Sequence, residues 1–302
     1  MKISIITACY NAEEYITDAI DSVVSQKSEN DEYIIIDGNS SDGTEKIVQS
    51  YGSSIDRFLS EPDEGQYHAI AKGFKISSGE ILCWLNADDI LMPWTLRVVR
   101  AIFEKFPDVD WITGQPSFLD ESGVLISTHS KIPAYPKAYI ANGWYSHSMG
   151  GYLQQESMFW RRSLWDKVGG LDLELKLAAD FNLWRRFAVH AQLVPVSIPL
   201  AAFRERPGQQ RSSAMANIYE AEVAADTAAL PRPQLWWRML AGFGIVGRSL
   251  ARSLIYAKGD AIVYSRASRT WVRVGGRRSL SRVSLASLIE EFRLRIIQKQ
   301  SR

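Results

Sequence analysis

The sequence is most informative at residues 81–89, Ile-Leu-Cys-Trp-Leu-Asn-Ala-Asp-Asp, where five apolar residues run directly into an amide and two carboxylates. A short apolar run bounded by polar residues is typical of a strand that is buried on both faces of a sheet. Adjacent carboxylates repel each other unless a cation or hydrogen-bond donors lie nearby. The stretch therefore predicts a buried strand with polar chemistry at its carboxyl end.

Strands and helices alternate in the residues before this strand. Apolar runs at 3–8 and 33–37 predict two further strands, and residues 13–26 have the apolar spacing of a helix. Other predicted elements are a helix from Asp42 to about Tyr51, a strand over Ile55–Leu59, a helix over Gln66–Ile76 and a helix beginning at Pro93. This order predicts an α/β fold, with a mostly parallel, Rossmann-like sheet sandwiched by helices and ligands bound at the carboxyl ends of its strands.

The alternation breaks after residues 111–113. Two short runs flanking Asp-Glu-Ser-Gly predict a β-hairpin, and the Pro- and Gly-rich connection over residues 131–151 is typical of a lid or binding loop. The predicted hairpin strands are Pro116–Leu119 and Val124–Ser127, and the later elements are a strand over Met158–Arg161 and helices over Ser163–Val168 and Asp180–His190. We place one domain at 1–230, with a nucleotide-binding half at 1–115 and an acceptor half at 116–230.

Composition excludes several classes of protein. With 302 residues, 46% hydrophobic and 23% charged, the chain is neither disordered, collagen-like nor disulfide-stapled. Both cysteines, Cys9 and Cys83, lie in apolar runs, which indicates reduced buried thiols in a cytosolic compartment. The sequence shows no secretory signal and no run of the roughly 18–20 apolar residues that a membrane span needs.

Charge is divided unevenly along the chain. Residues 231–302 hold 15 Lys and Arg against 3 Asp and Glu, so the first 230 residues hold 20 basic and 31 acidic residues. We interpret 231–302 as a basic helical tail with helices over Gln234–Lys258 and Ser281–Gln298. Its indole and cationic side chains favour peripheral contact with an anionic membrane surface.

Two other readings of the tail stay open. Trp236, Trp237, Leu240 and Phe243 can pack on the catalytic body or a second subunit, or the tail can be solvated without a partner. Nucleic acid is not expected as a partner, because the tail carries no helix-turn-helix or stacking motif.

The carboxylates near two predicted strand ends allow alternative interpretations. Asp88 and Asp89 suit a divalent metal bridging to a diphosphate, or a helix cap ahead of Pro93. The segment 37–44 suits a loop that contacts a nucleobase or ribose, or an ordinary turn with Asp42 as a cap. Asp180 likewise suits a catalytic base or a carboxylate that stabilises a helix start.

Five motifs in order resemble the family 2 glycosyltransferases of the GT-A fold, and the match covers nearly all of residues 1–230. The motifs are Ile5–Asn11, Asp37–Thr44, Ser60–Tyr67 with Lys72-Gly73, Leu85–Asp89, and Gly169–Asp172 leading to Asp180–Arg185. The resemblance implies transfer of a sugar from a nucleotide diphosphate sugar (UDP-, GDP- or dTDP-linked) to a hydroxyl acceptor, with inversion at the anomeric carbon. We expect a glycan or lipid-linked acceptor in cell-surface polysaccharide or glycolipid assembly, because a tail in contact with the inner face of a membrane would bring the enzyme to lipid-linked acceptors.

The resemblance also assigns roles to individual residues. On the donor side these are Thr7, Tyr10 and Asn11 in the base and ribose pocket, Asp37 on the base, Lys72 on the diphosphate, Asn86 on a ribose or water, and Asp88 with supporting Asp89 on Mn²⁺ or Mg²⁺. On the acceptor side these are Asp180 as catalytic base, Gln155, Glu156 and Trp160 in the acceptor pocket, and Arg204 with the Gly208–Ser213 loop closing over the phosphates.

The sequence departs from the family pattern at four positions. Asn86 replaces a carboxylate that the family often has, so it adds no charge for a metal; Ala8 replaces a frequent proline, and His68 and Ala71 interrupt a frequent motif. Two other functions stay open: a sugar nucleotidyltransferase, and a nucleotide-binding scaffold of the same fold without turnover.

Overall fold

The computed structural model describes residues 1–129, 135–145, 153–206, 213–233, 235–242, 247, 256–258, 260–275 and 277–279. Its strands are β1 Ile3–Cys9, β2 Glu32–Asp37, β3 Arg57–Ser60, β4 Ile81–Trp84, β5 Ile90–Leu91, β6 Trp111–Thr113, β7 Ser117–Leu119, β8 Leu125–Thr128, β9 Met158–Arg161, β10 Leu193–Pro195, β11 Ala201–Arg204, β12 Tyr256–Lys258, β13 Ala261–Ser265, β14 Thr270–Val274 and β15 Arg277–Ser279. Its helices are α1 Ile16–Val24, α2 Thr44–Ser50, α3 Gln66–Ile76, α4 Thr95–Lys105, α5 Lys137–Ala141, α6 Arg162–Val168, α7 Ala179–His190, α8 Ser213–Thr227 and α9 Leu235–Gly242.

A seven-stranded sheet in the order β10-β6-β9-β4-β1-β2-β3 forms the centre of the protein. All neighbouring strands are parallel except β9, which is antiparallel to β4 and β6. The predicted mostly parallel α/β sheet is confirmed. Because β1 and β2 pair as far as Cys9 and Asp37, both strands end level at the same edge of the sheet.

An aromatic cluster fills the core beneath β4 and β9. Trp160 is fully buried, and its ring centroid lies 5.5 Å from those of both Trp84 and Trp184. The prediction that Trp160 shapes the acceptor pocket is therefore wrong. Successive strand residues point to opposite faces of a sheet, and the face that Trp160 occupies is packed against other rings.

A second sheet, in the order β5-β11-β7-β8, lies beside the carboxyl end of β4. The predicted hairpin is confirmed as antiparallel β7 and β8. Strand β11, which no sequence pattern indicated, pairs with both β5 and β7. It thereby brings residues 201–206 next to the Asp88-Asp89 pair.

The tail is not the continuous helix that we predicted over Gln234–Lys258. Helix α9 is described over Leu235–Gly242, but residues 256–258, within the predicted helix, form strand β12. A hairpin of β13 and β14 packs on the catalytic body, where the Ser197 N–H donates to the Ile262 carbonyl at 2.9 Å and Ile262 is fully buried. Both strands are rich in the β-branched and aromatic residues that favour strands, such as Ile262, Val263 and Trp271.

The structure describes the rest of the tail in part. The predicted helix at Ser281–Gln298 lies outside the described residues, and the boundary at 230 stays a prediction. Leu240 packs against the core, as one open reading of the tail expected. No helix within the described part of the chain combines the length and apolarity that crossing a bilayer requires.

Candidate active site

A cleft of about 1290 Å³ opens where β1, β2 and β4 end. This edge is where open α/β sheets bind their ligands. Of the predicted site residues, the cleft brings together Tyr10, Asn11, Asn86, Asp88, Gln155, Glu156 and Asp180. The predicted residues that lie elsewhere are Thr7, Asp37, Lys72, Asp89, Trp160 and Arg204.

The loops after β1 and β2 are tied together at one end of the cleft. The Asn11 N–H donates to Ser40 Oγ at 2.8 Å, and the Ser41 N–H donates to Asn11 Oδ1 at 2.9 Å. Asn11 has a φ of 47°, a left-handed conformation that asparagine tolerates better than most residues. Next to it, Tyr10 is 66% exposed and presents its ring to the cleft.

Thr7 and Asp37 support these loops from below the cleft surface. Both are fully buried, and Thr7 Oγ1 shares a hydrogen bond of 3.1 Å with the Tyr33 hydroxyl. The Asp37 carboxylate accepts hydrogen bonds from the Ser40 hydroxyl and, at 2.7 Å, from the Ser60 hydroxyl. Their direct contact with a nucleotide is not supported, because their polar atoms are engaged in holding the loop in place.

Asn86 is held in a fixed orientation at the end of β4. Gln66 Nε2 donates to Asn86 Oδ1 at 2.7 Å, and Asn86 Nδ2 donates to Asp89 Oδ2 at 2.9 Å. Burial, with Asp88 and Glu156 nearby, raises the pKa of Asp89 well above its usual range. The predicted metal-ligand role of Asp89 is corrected. Its carboxylate is buried, accepts hydrogen bonds from Asn86 Nδ2 and the Arg204 N–H, and orients Asn86.

Arg204 is buried beside Asp89 and does not line the cleft. It is 1% exposed, its backbone N–H donates to Asp89 Oδ1 at 3.0 Å, and its guanidinium pairs with Asp18 at 2.6 Å. A buried guanidinium that is this heavily bonded is not free to close over phosphates or to line an acceptor pocket. The Gly208–Ser213 loop falls largely outside the described residues.

Arg206, two residues later, reaches the cleft and contacts Asp88. Its Nε lies 2.8 Å from Asp88 Oδ2, and its guanidinium lies over the Tyr15 ring at 5.2 Å. Both side chains of the pair are partly exposed, 33% for Arg206 and 18% for Asp88. Sequence reasoning missed Arg206, because it lies in no recognisable motif.

Lys72 does not line the cleft. It pairs with Glu61 at 2.8 Å and donates to the Pro62 carbonyl at 3.3 Å from the outer part of α3. The predicted contact between Lys72 and the donor diphosphate is therefore not supported. Among the described residues that line the cleft, the cation is Arg206.

Asp180 lies in the first turn of α7, across the cleft from the end of β4. Its Oδ1 accepts hydrogen bonds from the Phe181 N–H at 2.7 Å and from the Tyr67 hydroxyl at 3.3 Å. Burial raises the pKa of Asp180 to about 6, although the Phe181 hydrogen bond acts in the opposite direction. Tyr67 lay within a quoted motif, but nothing in the sequence indicated that it contacts Asp180.

Gln155 and Glu156 lie deep in the cleft, close to the residues that follow β4. Gln155 Nε2 donates to the Trp84 carbonyl at 2.6 Å, whereas Gln155 Oε1 is buried without a hydrogen-bond partner among the described residues. A buried carbonyl oxygen in this state is unfavourable unless a ligand or an ordered water supplies a donor. Apolar side chains of Ile140, Leu153, Phe181 and Met215 complete this side of the cleft.

The carboxylate-rich lining of the cleft fits a divalent cation, which Asp88 would hold. Mn²⁺ and Mg²⁺ are commonly held by one or two protein carboxylates together with phosphate oxygens and water. Within the described residues, no three His, Cys, Asp or Glu side chains form a group that could hold a metal by themselves. The described lining carries a single cation, Arg206, against the carboxylates of Glu13, Glu14, Asp42, Asp63, Asp88, Glu156, Asp180 and Glu220.

Relatives of this chain are glycosyltransferases by name. It is 30% identical over 189 residues to an uncharacterized glycosyltransferase of Rickettsia typhi, an alignment that covers 61% of this chain and 58% of the relative. It is 32% identical over 125 residues to the poly-beta-1,6-N-acetyl-D-glucosamine synthase of Staphylococcus epidermidis, covering 41% of this chain and 30% of the synthase. The chain thus spans less than two thirds of either relative.

Solved structures that share the fold include S. aureus TarS and a mannosyltransferase. S. aureus TarS in complex with UDP-GlcNAc superposes with a TM-score of 0.61 at 19% identity, covering 84% of this chain and 77% of TarS. The mannosyltransferase PcManGT of Pyrobaculum calidifontis, in complex with GDP-Man and Mn²⁺, gives 0.56 at 15% identity, covering 82% and 73%. The family model described as glycosyl transferase family 2 matches residues 4–166, more than half of the sequence. This chain therefore belongs to glycosyltransferase family 2.

Proposed function

We propose that this glycosyltransferase moves a sugar from a nucleotide diphosphate sugar to a hydroxyl acceptor with inversion at the anomeric carbon. The observation that carries the proposal is the placement of Asp88 and Asp180 on one cleft, one from each predicted half of the domain. Direct displacement needs charge stabilisation at the leaving diphosphate and a base at the incoming hydroxyl, on opposite faces of the sugar.

Asp180 is the proposed base. Its pKa of about 6 leaves it ionised at neutral pH, yet basic enough to take a proton in the transition state. Within the described hydrogen bonds, Phe181 and Tyr67 both contact Oδ1, so Oδ2 is the oxygen proposed to accept the acceptor proton. Electrons from the hydroxyl oxygen form the new bond to the anomeric carbon as the bond to the diphosphate oxygen breaks.

The donor nucleotide is proposed to lie against the loops after β1 and β2. The exposed ring of Tyr10 offers a stacking surface for the base, and Asn11 and Asn86 offer hydrogen bonds to base or ribose. Asp88 would hold Mn²⁺ or Mg²⁺, which supplies charge neutralisation to the departing diphosphate when bound. Arg206, once it leaves Asp88, can then donate to phosphate oxygens.

The acceptor is proposed to be a glycan or a lipid-linked glycan, in surface polysaccharide or glycolipid assembly. The synthase relative from S. epidermidis supports polysaccharide chemistry. For the tail, Leu235 and Met239 on α9 are 69% and 62% exposed, which supports peripheral contact with an anionic membrane surface. The side chains of Trp236 and Trp237 lie outside the described residues.

A donor panel tests the proposal directly. Melting temperature is measured with UDP, GDP and dTDP, each with and without Mn²⁺, because a ligand that binds only the folded protein raises it. We expect one nucleotide to raise it by several degrees, and to do so more strongly with Mn²⁺. No shift with any nucleotide would contradict donor binding, and a shift without sugar transfer would favour the scaffold alternative.

The pH dependence of transfer is a second expected result. A base with a pKa of about 6 is protonated below that value and cannot accept the acceptor proton. We therefore expect kcat/KM to fall about tenfold for each pH unit below 6 and to level off above about 7. The measurement is kcat/KM from pH 5 to 8, and an acid limb near pH 4 would contradict the assignment of Asp180.

A further inference from the structure

Glu222, on α8, holds the turn that leads into the helix of the proposed base. Its carboxylate accepts three backbone hydrogen bonds, from Lys176 at 2.9 Å, Leu177 at 2.9 Å and Ala178 at 2.8 Å. Asp180 follows two residues later. A single side chain thus fixes three consecutive peptide groups immediately before the base.

The local sequence cannot supply this support. The cap position of α7 is Ala178, whose side chain has no hydrogen-bonding group, and helix starts need acceptors for their free N–H groups. Glu222 provides one such acceptor from another element, for the Ala178 N–H, and also accepts from the two residues before it. It also orients the Leu177 carbonyl, which accepts the Tyr67 hydroxyl at 2.9 Å, and that hydroxyl lies 3.3 Å from Asp180 Oδ1.

A second carboxylate anchors the same helix one turn later. Asp226 makes a two-point contact with Arg185, at 2.7 Å to both Nε and Nη2, and accepts from Asn182 at 2.7 Å. Glu222 and Asp226 therefore hold α8 against α7, but only Glu222 contacts the turn ahead of Asp180. The two residues form a matched pair for experiment.

We propose that Glu222 is a positioning residue for Asp180: it fixes the turn from which the base projects and keeps a negative charge beside it. This inference rests on the proposed function for its consequence in catalysis. It concerns a helix beyond the residues that the family model matches.

The ionisable groups around Asp180 come from two elements. Tyr67 on α3 donates toward Oδ1, while α8 contributes Glu222 and Tyr219, with Glu220 exposed on the cleft wall. Burial comes first among the causes that raise the pKa of Asp180, and the charge of Glu222 adds to it. Loss of that charge should lower the pKa of Asp180.

The test reads the titration of Asp180 on the protein itself. The full chain is labelled with ¹³C at aspartate carboxyls, the Asp180 signal is assigned by its loss in Asp180→Asn, and its midpoint is followed with pH. We expect Glu222→Gln to lower the midpoint by about 0.5–1 pH unit, and to move the acid limb of kcat/KM by the same amount. Glu222→Asp, which keeps the charge, should stay closer to the parent protein.

Asp226→Asn is the matched control, because it weakens the contact between α8 and α7 without touching the turn. An unchanged midpoint in Glu222→Gln, or an equal shift in Asp226→Asn, would overturn the proposal. If Glu222→Gln does not fold, Glu222→Asp decides: a midpoint lowered as far as 0.5–1 unit despite the retained charge contradicts it. A parent protein that titrates as expected but transfers no sugar refutes the proposed function and leaves this inference intact.

Discussion

Replacing Asp180 with asparagine is expected to lower kcat/KM for sugar transfer by ~10²–10⁴-fold, the usual contribution of a general base. Asparagine keeps the size of the side chain, and its amide oxygen can still accept the Phe181 N–H that contacts Oδ1 at 2.7 Å. The amide cannot take a proton from an acceptor hydroxyl. The measurement is the steady-state transfer rate with a saturating donor, together with donor affinity, which should change little.

Stability gives this prediction an internal control. Burial raises the pKa of Asp180 to about 6, so the folded protein holds an ionised carboxylate at pH 8 against an unfavourable environment. Asp180→Asn removes that charge, and we expect an unchanged or higher melting temperature at pH 8. Asp172→Asn, in the turn before α7, should keep its transfer activity within a few-fold. Full activity in Asp180→Asn would refute the base assignment.

The sheet and the placement of its loops were predictable from sequence, because their signals are local. The apolar runs at 3–8, 33–37 and 81–85 correspond to β1, β2 and β4, with ends within one residue of those predicted. Parallel strands bring their carboxyl ends to one edge, which is why Asn11, Asn86 and Asp88 meet in one cleft. The helix at 66–76 was predicted with its observed bounds.

The errors concern side chains whose environment depends on distant elements. Trp160 was assigned to the acceptor pocket from the family resemblance, whereas the facing rings of Trp84 and Trp184 bury it. Arg204 and Arg206 look alike in sequence. The pairing of β11 with β5 and β7 buries Arg204 beside Asp89. Arg206 lies beyond the end of β11, and its guanidinium lines the cleft.

Glu222 is a residue that sequence analysis did not single out, because its role also depends on a distant element. Its role depends on a backbone turn 44 to 46 residues earlier in the chain. Periodicity describes one element at a time and carries no information about such contacts. A contact of this kind, between α8 and the turn ahead of α7, therefore lies beyond what local sequence patterns describe.

Replacing Asp88 with asparagine is expected to lower kcat/KM by ~10²–10³-fold and to remove the Mn²⁺-dependent part of donor binding. Of the two carboxylates after β4, Asp88 lines the cleft, whereas Asp89 is buried and bonded to Arg204 and Asn86. An amide carries no charge for a divalent cation. Apart from Arg206, the charged side chains of the described lining are carboxylates. Without the divalent cation, a donor diphosphate would therefore lose the main positive charge that neutralises it. The measurement is a Mn²⁺ titration of donor-induced melting shifts.

The ion pair between Arg206 and Asp88 requires a control, since Asp88→Asn also breaks it. Arg206→Gln removes the pair but leaves the carboxylate, so it should keep the Mn²⁺-dependent melting shift and lower kcat/KM by about tenfold through lost phosphate contact. Asp88→Asn should lose the Mn²⁺-dependent melting shift as well as most of kcat/KM. If Arg206→Gln abolished the Mn²⁺ effect as completely as Asp88→Asn, the carboxylate would act through the guanidinium. The cation site would then have to be sought among the other carboxylates of the cleft.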